Sequence, residues 1–271
     1  MGPNSTLKEE TDRPRYFLIG LWDRYSSWTA RVRVLLDYYS IPYDMRMLNL
    51  WLESRAELNA LSPSGLVPVL VDNKYDPPLN INDSLAILLH LAEEHPSLPF
   101  FPSDPYLRAL ARSATAEMHS GFVAMRNEFS ANFIAKYEGA IPISDAARKN
   151  VKRVLEIWGN ARRKTIERAN EGGSKVKDEG YLCGEFGIVD AFFWPVLWRF
   201  RSYNLPLTTA TPEAIEWISK MWNDPQLREV GKGYFRQAEN PKSKVKHYDD
   251  VFKGVEGITY GKFDEDWVFR P

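Results

Sequence analysis

The segment at residues 61–70 (LSPSGLVPVL) constrains this chain most, because a proline stands directly before a compact β-branched run. Proline cannot donate to a strand ladder, so Pro68 predicts a strand start at this step. A short distance on, Asp83 and Ser84 precede an apolar-periodic run, as helix-capping residues do. An open strand start and a helix N-terminus together predict one site for a peptide-like ligand that carries a carboxylate.

The first hundred residues alternate between strand and helix patterns. Strands are predicted where short apolar runs end in polar turns, at residues 16–22, 43–50, 67–72 and 79–81. Helices are predicted where apolar side chains recur at helical spacing, at residues 29–39, 54–59 and 83–94. The resulting order, β-α-β-α-β-β-α, predicts a thioredoxin-like half-sheet with helices packed on it.

A proline-rich stretch at residues 95–105 separates this unit from the rest of the chain. Beyond it the pattern is helical only, beginning with one apolar face through residues 107–129. The predicted fold class is therefore α/β plus all-α. Four segments are expected: a flexible tail at 1–15, a thioredoxin-like domain at 16–96, an all-helical domain at 106–233, and an extension at 234–271 that packs on the body and is long enough to cover a pocket.

Composition argues against several kinds of site and partner. A formal net charge of −1 gives no indication of a nucleic-acid partner or an anionic membrane surface. No apolar run is long enough to span a bilayer, and the polar N-terminus lacks an apolar signal core, so we expect a cytoplasmic protein. The single cysteine excludes a disulfide framework and a cysteine-rich zinc site. The four scattered histidines give little support to a metal site, and we expect none.

Two consecutive serines, Ser26 and Ser27, precede the first predicted helix. A hydroxyl at a helix N-terminus can donate to a sulfur anion, and the positive end of the helix favours that charge. Lowering a thiol pKa from about 8.5 by about two units needs about 2.7 kcal/mol, which one charge-assisted hydrogen bond and a helix terminus can supply. Simple helix capping explains the same two serines without a thiol.

The run at residues 25–33 (YSSWTARVR) resembles the Ser-Ser-Cys-Ser-x-Arg-Val-Arg signature of the zeta class in the glutathione transferase superfamily. Fungal and bacterial members with Ser-Ser-Trp at this position resemble it more closely. The resemblance implies glutathione as cosubstrate or cofactor, bound by the thioredoxin-like domain, and a homodimer. It places Ser26 at the catalytic serine, with Ser27 directly after it; Tyr25 is a third candidate hydroxyl.

The resemblance also implies how glutathione is held. In this fold the Val67–Pro68 peptide bond is cis, and the main chain of Val67 pairs with the cysteinyl unit. The backbone and hydroxyl of Ser84 hold the γ-glutamyl carboxylate, with Asp83 in place of the more usual glutamate or glutamine. The alternatives are a trans proline at a strand edge and plain capping by Asp83 and Ser84. The residue that holds the glycine end is not identified.

Three basic side chains follow the linker. His119 and Arg112 lie off the apolar stripe of their helix, on its polar side, and Arg126 is near them. They either contact a polar or anionic acceptor substrate or belong to a solvated or dimer-facing surface.

Two features near residue 185 have structural interpretations. Cys183 precedes a very apolar helix and is expected to be an inert small hydrophobe. Asp190 matches the acid of a Ser/Thr-x-x-Asp box that caps the central helix in these transferases, whereas Gly187 replaces the hydroxyl partner.

The function implied by the resemblance is attack of a bound glutathione thiolate on a small electrophile. A glutathione-dependent isomerase or lyase in a metabolic pathway would use the same site. A non-catalytic binding or regulatory module is a third possibility, because fold alone does not fix function. No cysteine lies near the serine turn, so we expect no chemistry through a protein thiol. The sequence does not identify the electrophile.

Overall fold

The computed structural model describes residues 14–49, 55–62 and 64–270. The strands are β1 (Tyr16–Leu21), β2 (Tyr43–Leu48), β3 (Val69–Asp72), β4 (Leu79–Asn82), β5 (Ala135–Gly139) and β6 (Ile258–Lys262). The helices are α1 (Ser27–Tyr38), α2 (Arg55–Leu61), α3 (Ser84–Glu94), α4 (Pro105–Ser120), α5 (Val123–Glu128), α6 (Asp145–Ala169), α7 (Ile188–Ser202), α8 (Pro212–Asn223), α9 (Pro225–Glu239) and α10 (Lys246–Asp249). Three features predicted from the sequence lie outside the described residues: the strand end at residue 50, the helix start at residue 54, and residues 1–13 of the tail.

The first four strands form one sheet in the order β2-β1-β3-β4. β1 is parallel to β2 and antiparallel to β3, and β3 and β4 form an antiparallel hairpin. Tyr16, Leu18 and Ile19 of β1 are all buried, because this strand lies inside the sheet and is covered on both faces. The predicted β-α-β-α-β-β-α order and the thioredoxin-like fold class are confirmed.

A close approach fixes α1 against the end of β1. Gly20 faces Thr29, and a Cβ atom at Gly20 would lie only 2.3 Å from Thr29 Cγ2. Glycine therefore allows the first turn of α1 to sit directly on the strand. This contact sets the position of the two serines at the helix start.

Arg15 anchors the chain to the sheet domain directly before β1. Its Nε donates to Asp72 Oδ1 at 2.7 Å, and its Nη2 lies 2.5 Å from Glu94. Burial acts to raise the pKa of Asp72, but hydrogen bonds from Arg15, the Lys74 N–H and His90 lower it to about 2. Arg15, assigned from sequence to the flexible tail, is thus bonded to the sheet.

The apolar face predicted through residues 107–129 is divided between two helices. The Gly121 N–H donates to Glu117 O at 2.8 Å where α4 ends. Phe122 then adopts a left-handed conformation, with φ of 59°, and α5 begins. Met118, Phe122 and Met125 are nevertheless all buried. The predicted apolar face is therefore confirmed, but it belongs to two helices and not to one continuous helix.

The prediction of an all-helical segment at 106–233 needs correction at β5. This strand pairs antiparallel with β6 of the C-terminal extension, with Tyr137 opposite Tyr260. A five-residue strand whose partner lies more than a hundred residues later leaves no helical or hairpin signal in the sequence.

The C-terminal extension contacts the helices. α9 continues through position 233, where a boundary was predicted, and ends at Glu239. Further on, the ring of Trp267 lies 5.2 Å from that of Trp222. The Arg201 guanidinium lies over the rings of Trp198 and Trp267, at 4.1 and 5.0 Å. Cation–π and ring contacts therefore join this segment to α7 and α8.

Asp190 caps the buried helix α7, as predicted. Its Oδ2 accepts from the Gly187 N–H at 3.1 Å, and its Oδ1 accepts from the Leu182 N–H at 3.0 Å and from Trp217 Nε1 at 2.8 Å. A Cβ at Gly187 would lie 2.9 Å from Phe100 O, which explains the missing hydroxyl partner. Burial raises the pKa of Asp190 to about 6.

Cys183 is buried, with 3% of its surface exposed. Burial raises the pKa of its thiol far above the usual range, which keeps it protonated. Both observations support the expected structural role.

We predict that Asp190→Ala lowers the free energy of unfolding by about 3 kcal/mol or more, because three buried N–H donors lose their acceptor. Urea denaturation followed by tryptophan fluorescence measures this change. Asp145→Ala, at an exposed position at the start of α6, is the matched control and should change stability by about 0.5 kcal/mol or less. Equal stabilities for the two variants would contradict the assigned role of Asp190.

A second prediction concerns pH. Because the folded protein raises the Asp190 pKa from its ordinary value of 3.8 to about 6, it binds this proton more tightly than the unfolded chain does. The contribution of Asp190 to stability therefore falls as pH rises through this window. Asp190→Asn removes this titration, so between pH 4 and 6 its free energy of unfolding should fall less, or rise more, than that of the wild-type protein. An identical slope in both proteins would contradict the raised pKa.

Candidate functional site

The C-terminal end of β1 lies beside the N-terminal end of β3, at one edge of the sheet. Ile19 pairs with Val69, and continuing this antiparallel register by two residues places Leu21 opposite Val67. The Val67–Pro68 peptide bond is cis, as predicted. The N–H and C=O of Val67 form no main-chain hydrogen bond with another described residue. This part of the backbone is therefore available to an extended peptide.

Helix α3 begins at the same edge, directly after β4. Asp83 is its N-cap: Oδ1 accepts from the Leu85 N–H at 2.8 Å and from the Ala86 N–H at 3.3 Å. Ser84 is fully buried, and its Oγ has no hydrogen-bond partner among the described residues. A buried hydroxyl without a partner is uncommon in folded proteins, so Ser84 has a donor to offer at the helix start.

The two serines lie at the start of α1. Ser26 is the N-cap, and its Oγ accepts from the Thr29 N–H at 3.3 Å and lies 2.9 Å from Thr29 Oγ1. Ser27 Oγ accepts from Arg199 Nη2 at 3.4 Å. When Thr29 donates its hydroxyl hydrogen to Ser26, both serines keep their own hydrogen for another acceptor. Capping by Ser26 is therefore compatible with donation to a ligand.

A cavity of about 420 Å³ adjoins these serines. Its walls come from the start of α1, from α5, from α7 and from the C-terminal extension, and include Ser26, Ser27, Trp28, Arg126, Arg199 and Tyr248. The volume is sufficient for a small organic molecule. The structure thus places Val67, Asp83 and Ser84 at a sheet edge, and Ser26 and Ser27 at the cavity wall.

The charged side chains that line the cavity among the described residues are arginines. Arg199 is buried and donates to Phe129 O, Pro195 O and Ser27 Oγ, all of them neutral. Burial lowers the pKa of Arg199 to about 10, and burial also lowers the pKa of Arg126. The cavity wall therefore carries positive charge without a carboxylate from the described lining.

A third arginine lies behind the wall. Arg31 is fully buried and stacks on Trp28 at 4.3 Å, and Arg126 lies over the same ring at 5.2 Å. The Nε and Nη1 atoms of Arg31 have no hydrogen-bond partner among the described residues. Burial lowers the pKa of Arg31 well below its usual range, and the charges of Arg199 and Arg126 add to this effect, whereas Asp83 opposes it.

The three basic residues singled out in sequence have different positions. Arg126 lines the cavity, whereas Arg112 is exposed and stacks on Phe101 at 5.1 Å, away from the described lining. His119 Nε2 lies 3.5 Å from Asp83 Oδ2, between α4 and the start of α3. Arg126 therefore reaches the cavity and Arg112 has a solvated position, whereas contact of any of the three with a substrate stays a prediction.

Arg199 is not among the residues predicted from the sequence, although the sequence contains a signal for it. It is a charged residue inside the apolar run FFWPVLWRF, where a cation needs a specific reason to be buried.

Tyr25 is bonded to the C-terminal extension. Its hydroxyl donates to Asp249 Oδ1, and burial, together with this bond, raises its pKa. A phenol held in its protonated form by a carboxylate has no hydrogen left for a sulfur atom. This geometry disfavours Tyr25 as the group that stabilises a thiolate.

The extension forms one wall of the cavity. Asn49 Nδ2, at the end of β2, donates to the carbonyls of Lys242 and Lys244 at 2.7 and 3.3 Å. Asn132 Nδ2 donates to the carbonyls of Tyr248 and Asp249 at 3.0 and 3.1 Å. Polar bonds to both halves of the molecule thus hold residues 242–249 over the pocket.

Within residues 14–49, 55–62 and 64–270, no group of three or more His, Cys, Asp or Glu side chains is arranged to hold a metal ion. No helix in these ranges is long and apolar enough to cross a membrane.

Two family models match this chain. The N-terminal domain of glutathione S-transferase matches residues 25–94, and the C-terminal domain of glutathione S-transferase matches residues 141–220. The chain belongs to the glutathione S-transferase superfamily. The two matches cover the sheet edge, the serine turn and helix α7, which contributes Arg199 to the cavity wall.

Relatives of this transferase-family chain carry more than one kind of name. A probable maleylacetoacetate isomerase of Caenorhabditis elegans is 33% identical over 112 residues, which are 41% of this chain and 49% of the relative. A probable glutathione S-transferase of Glycine max is 28% identical over 217 residues, 76% and 84% of the two chains. The match spans about half the length of the first relatives.

Solved structures share the fold. Yeast Ure2p in complex with glutathione superposes with a TM-score of 0.60 at 20% identity, covering 81% of this chain and 95% of that one. A Burkholderia glutathione transferase homologue with bound glutathione gives a TM-score of 0.55 at 20% identity, covering 83% and 100%.

We predict that Tyr25→Phe loosens the segment at 242–249, because it removes the hydroxyl bond to Asp249. Losing about 1 kcal/mol from this anchor should speed trypsin cleavage after Lys242 and Lys244 about fivefold. Mass spectrometry of timed digests measures the rates. Tyr75→Phe, at an exposed tyrosine between β3 and β4, is the control. Equal cleavage rates for the two variants would contradict the role of Tyr25 as an anchor of this segment.

Proposed function

We propose that this protein is a glutathione transferase that directs a glutathione thiolate at a small electrophile in the 420 Å³ cavity. The observation that carries the proposal is that three groups converge at one edge of the sheet: the start of α1, the start of α3, and the Val67 main chain, which has no main-chain partner among the described residues. These groups fit an extended tripeptide with a carboxylate at one end and a thiol near its middle.

The sheet edge supplies the binding groups. The Val67 N–H and C=O would pair with the cysteinyl unit, next to the cis bond to Pro68. The Ser84 N–H and hydroxyl would bind the γ-glutamyl carboxylate at the positive end of α3, which satisfies the orphaned Oγ. Asp83 Oδ1 serves as the helix cap, and Oδ2, which lies 3.5 Å from His119 Nε2, is the oxygen that would also contact the ligand amine.

The start of α1 supplies the catalytic groups. Glutathione, when bound, supplies the sulfur nucleophile. Ser26 and Ser27 would donate to it from the helix N-terminus, where partial positive charge favours the thiolate. The Arg199 guanidinium beside Ser27 adds positive potential on the same side. The hydroxyls thus stabilise an anion and do not attack the substrate.

A glutathione-dependent isomerase is the second candidate. Three similar proteins carry isomerase names: maleylacetoacetate isomerase in Dictyostelium discoideum, and probable maleylacetoacetate isomerase in Caenorhabditis elegans and Vibrio cholerae. Such an activity would use the same thiolate but release glutathione unconsumed. Quantifying glutathione before and after turnover separates the two candidates.

A homodimer in the cytoplasm completes the proposal. Leu79 of β4 and Leu89 of α3 are exposed apolar side chains on the sheet domain, as a subunit contact requires. A mass near twice 31.3 kDa in analytical ultracentrifugation would support the dimer, and 31.3 kDa would reject it. The single cysteine is consistent with a reducing compartment.

The first test is binding. Calorimetry should detect glutathione binding at millimolar concentration or tighter, with a competing signal from S-methylglutathione. No heat with either ligand would reject the transferase and the isomerase and favour a non-catalytic module of the same fold.

The second test concerns the serines, and it gives a prediction. The bound thiol should titrate below the pKa of about 8.5 of a free thiol, followed by thiolate absorbance in the ultraviolet. Ser26→Ala or Ser27→Ala, whichever removes the donor, should raise this pKa by about one unit, since about 1.4 kcal/mol of anion stabilisation is lost. Tyr25→Phe serves as the hydroxyl control and should leave the pKa unchanged. Unchanged values in both serine variants would refute the assignment.

A further inference from the structure

A second cavity, of about 550 Å³, lies between β5, α7, α8 and the C-terminal residues 263–270. Among the described residues it shares no lining residue with the cavity beside the serines. Arg199 of α7 reaches the first cavity and Arg201 of the same helix reaches the second. Two positions along a helix differ by about 200° around its axis, so these side chains leave opposite faces of α7. The proposed transferase chemistry therefore makes no use of the second cavity.

The wall of this second cavity is mainly apolar and rich in rings. Its aromatic side chains are Phe200, Trp222, Phe263, Trp267 and Phe269. The last three belong to the C-terminal extension, so the segment that covers the first cavity at residues 242–249 also builds the wall of the second one further along the chain. A volume of this size is typical of sites for a single small organic molecule, and ring faces favour a flat apolar one.

Arg201 supplies a cation at this wall. Its Nη2 donates to Phe133 O at 2.7 Å, and neither its Nε nor its Nη1 forms a hydrogen bond with another described residue. The guanidinium lies over the rings of Trp198 and Phe263, at 4.1 and 4.4 Å. Burial lowers the pKa of Arg201 to about 9. The rings hold the guanidinium in place but accept none of its N–H groups in a conventional hydrogen bond, so donors remain for an oxygen atom.

The position of Arg201 distinguishes it from another buried arginine without a carboxylate partner. Arg31 is enclosed by the rings of Trp28 and Phe192, at 4.3 and 4.5 Å, and lines neither of the two cavities. A ligand therefore has no space beside Arg31. Beside Arg201 it has the whole second cavity, and this difference makes Arg201 a candidate for ligand binding.

We propose that the second cavity is a non-catalytic binding site for a flat apolar molecule that carries an acceptor oxygen, either of a carboxylate or of a carbonyl group. The rings of Trp222 and Trp267 would contact the apolar body, and the oxygen would accept from the Arg201 guanidinium. The carboxylate within the described lining, that of Glu138, lies 2.9 Å from Lys136 and is neutralised there. It leaves Arg201 to the ligand.

Three ligands with one ring system test the chemistry of the site. Calorimetry near neutral pH with 2-naphthoate, 2-acetylnaphthalene and 2-naphthylmethylammonium compares a carboxylate, a ketone and a cation without an acceptor. We expect the tighter of the two oxygen compounds to bind about tenfold or more better than the ammonium compound. Which of the two is tighter identifies the natural ligand as an acid or as a neutral carbonyl compound. Equal affinity for the ammonium compound, or binding of none of the three, would overturn the inference.

Two variants locate the binding. Leu207 is half-buried at the cavity wall, and Leu207→Trp should weaken binding of the preferred ligand about tenfold or more because the larger ring system fills the space. Arg201→Lys keeps the charge but loses the planar array of donors, so it should reduce the preference for oxygen about tenfold. Unchanged binding in both variants would show that the ligand binds elsewhere and would refute the site.

Arg112→Lys is the matched control for Arg201→Lys. Arg112 also lies over a ring, that of Phe101 at 5.1 Å, but it is exposed and lines neither cavity. Its substitution should leave all three affinities unchanged. Circular dichroism and the thermal midpoint establish that each variant is folded.

Competition separates the two cavities. S-Hexylglutathione, whose hexyl chain would enter the first cavity, should not displace the naphthalene ligand, and Leu207→Trp should bind S-hexylglutathione as the wild-type protein does. Displacement would assign the ligand to the first cavity and overturn the inference. Failure of S-hexylglutathione to bind would reject the proposed transferase function alone, because the response of the naphthalene ligands to Leu207→Trp and Arg201→Lys does not depend on glutathione.

Discussion

The contact between Gly20 and Thr29 is the constraint on which the site depends. It seats the first turn of α1 on the end of β1, and the same threonine bonds to Ser26 through both its N–H and its hydroxyl. One residue therefore fixes the helix against the sheet and orients the serine at its start. Positioned this way, the positive end of α1 and the open main chain at Val67 occupy the same sheet edge.

The local chemistry of the site could be predicted from the sequence. Its signals are each contained within a few residues: a proline before a β-branched strand, an Asp-Ser helix start and a Ser-Ser turn. The structure has Pro68, Asp83 and Ser26 where those signals place them. The β-α-β-α-β-β-α order followed for the same reason. Capping and strand starts are governed by neighbouring residues, so the sequence alone carries them.

What the sequence did not predict depends on distant partners. β5 is a strand only because β6 pairs with it from the C-terminal extension, and Tyr25 is occupied only because Asp249 reaches it from 224 residues away. The second arginine of the cavity, Arg199, lies in an apolar helix whose pattern indicates core packing. Its exposure to the cavity is decided by tertiary packing and not by periodicity.

The two halves of the molecule divide the proposed chemistry between backbone and side chains. On the sheet domain, the groups assigned to glutathione are mainly main-chain N–H and C=O groups at Val67 and at the start of α3, which a change of side chain barely alters. On the helical domain, Arg126, Arg199 and Tyr248 form the wall with their side chains. Substitution there changes the charge and shape of the pocket while the sheet edge stays the same, so a fixed cosubstrate can be combined with different acceptors.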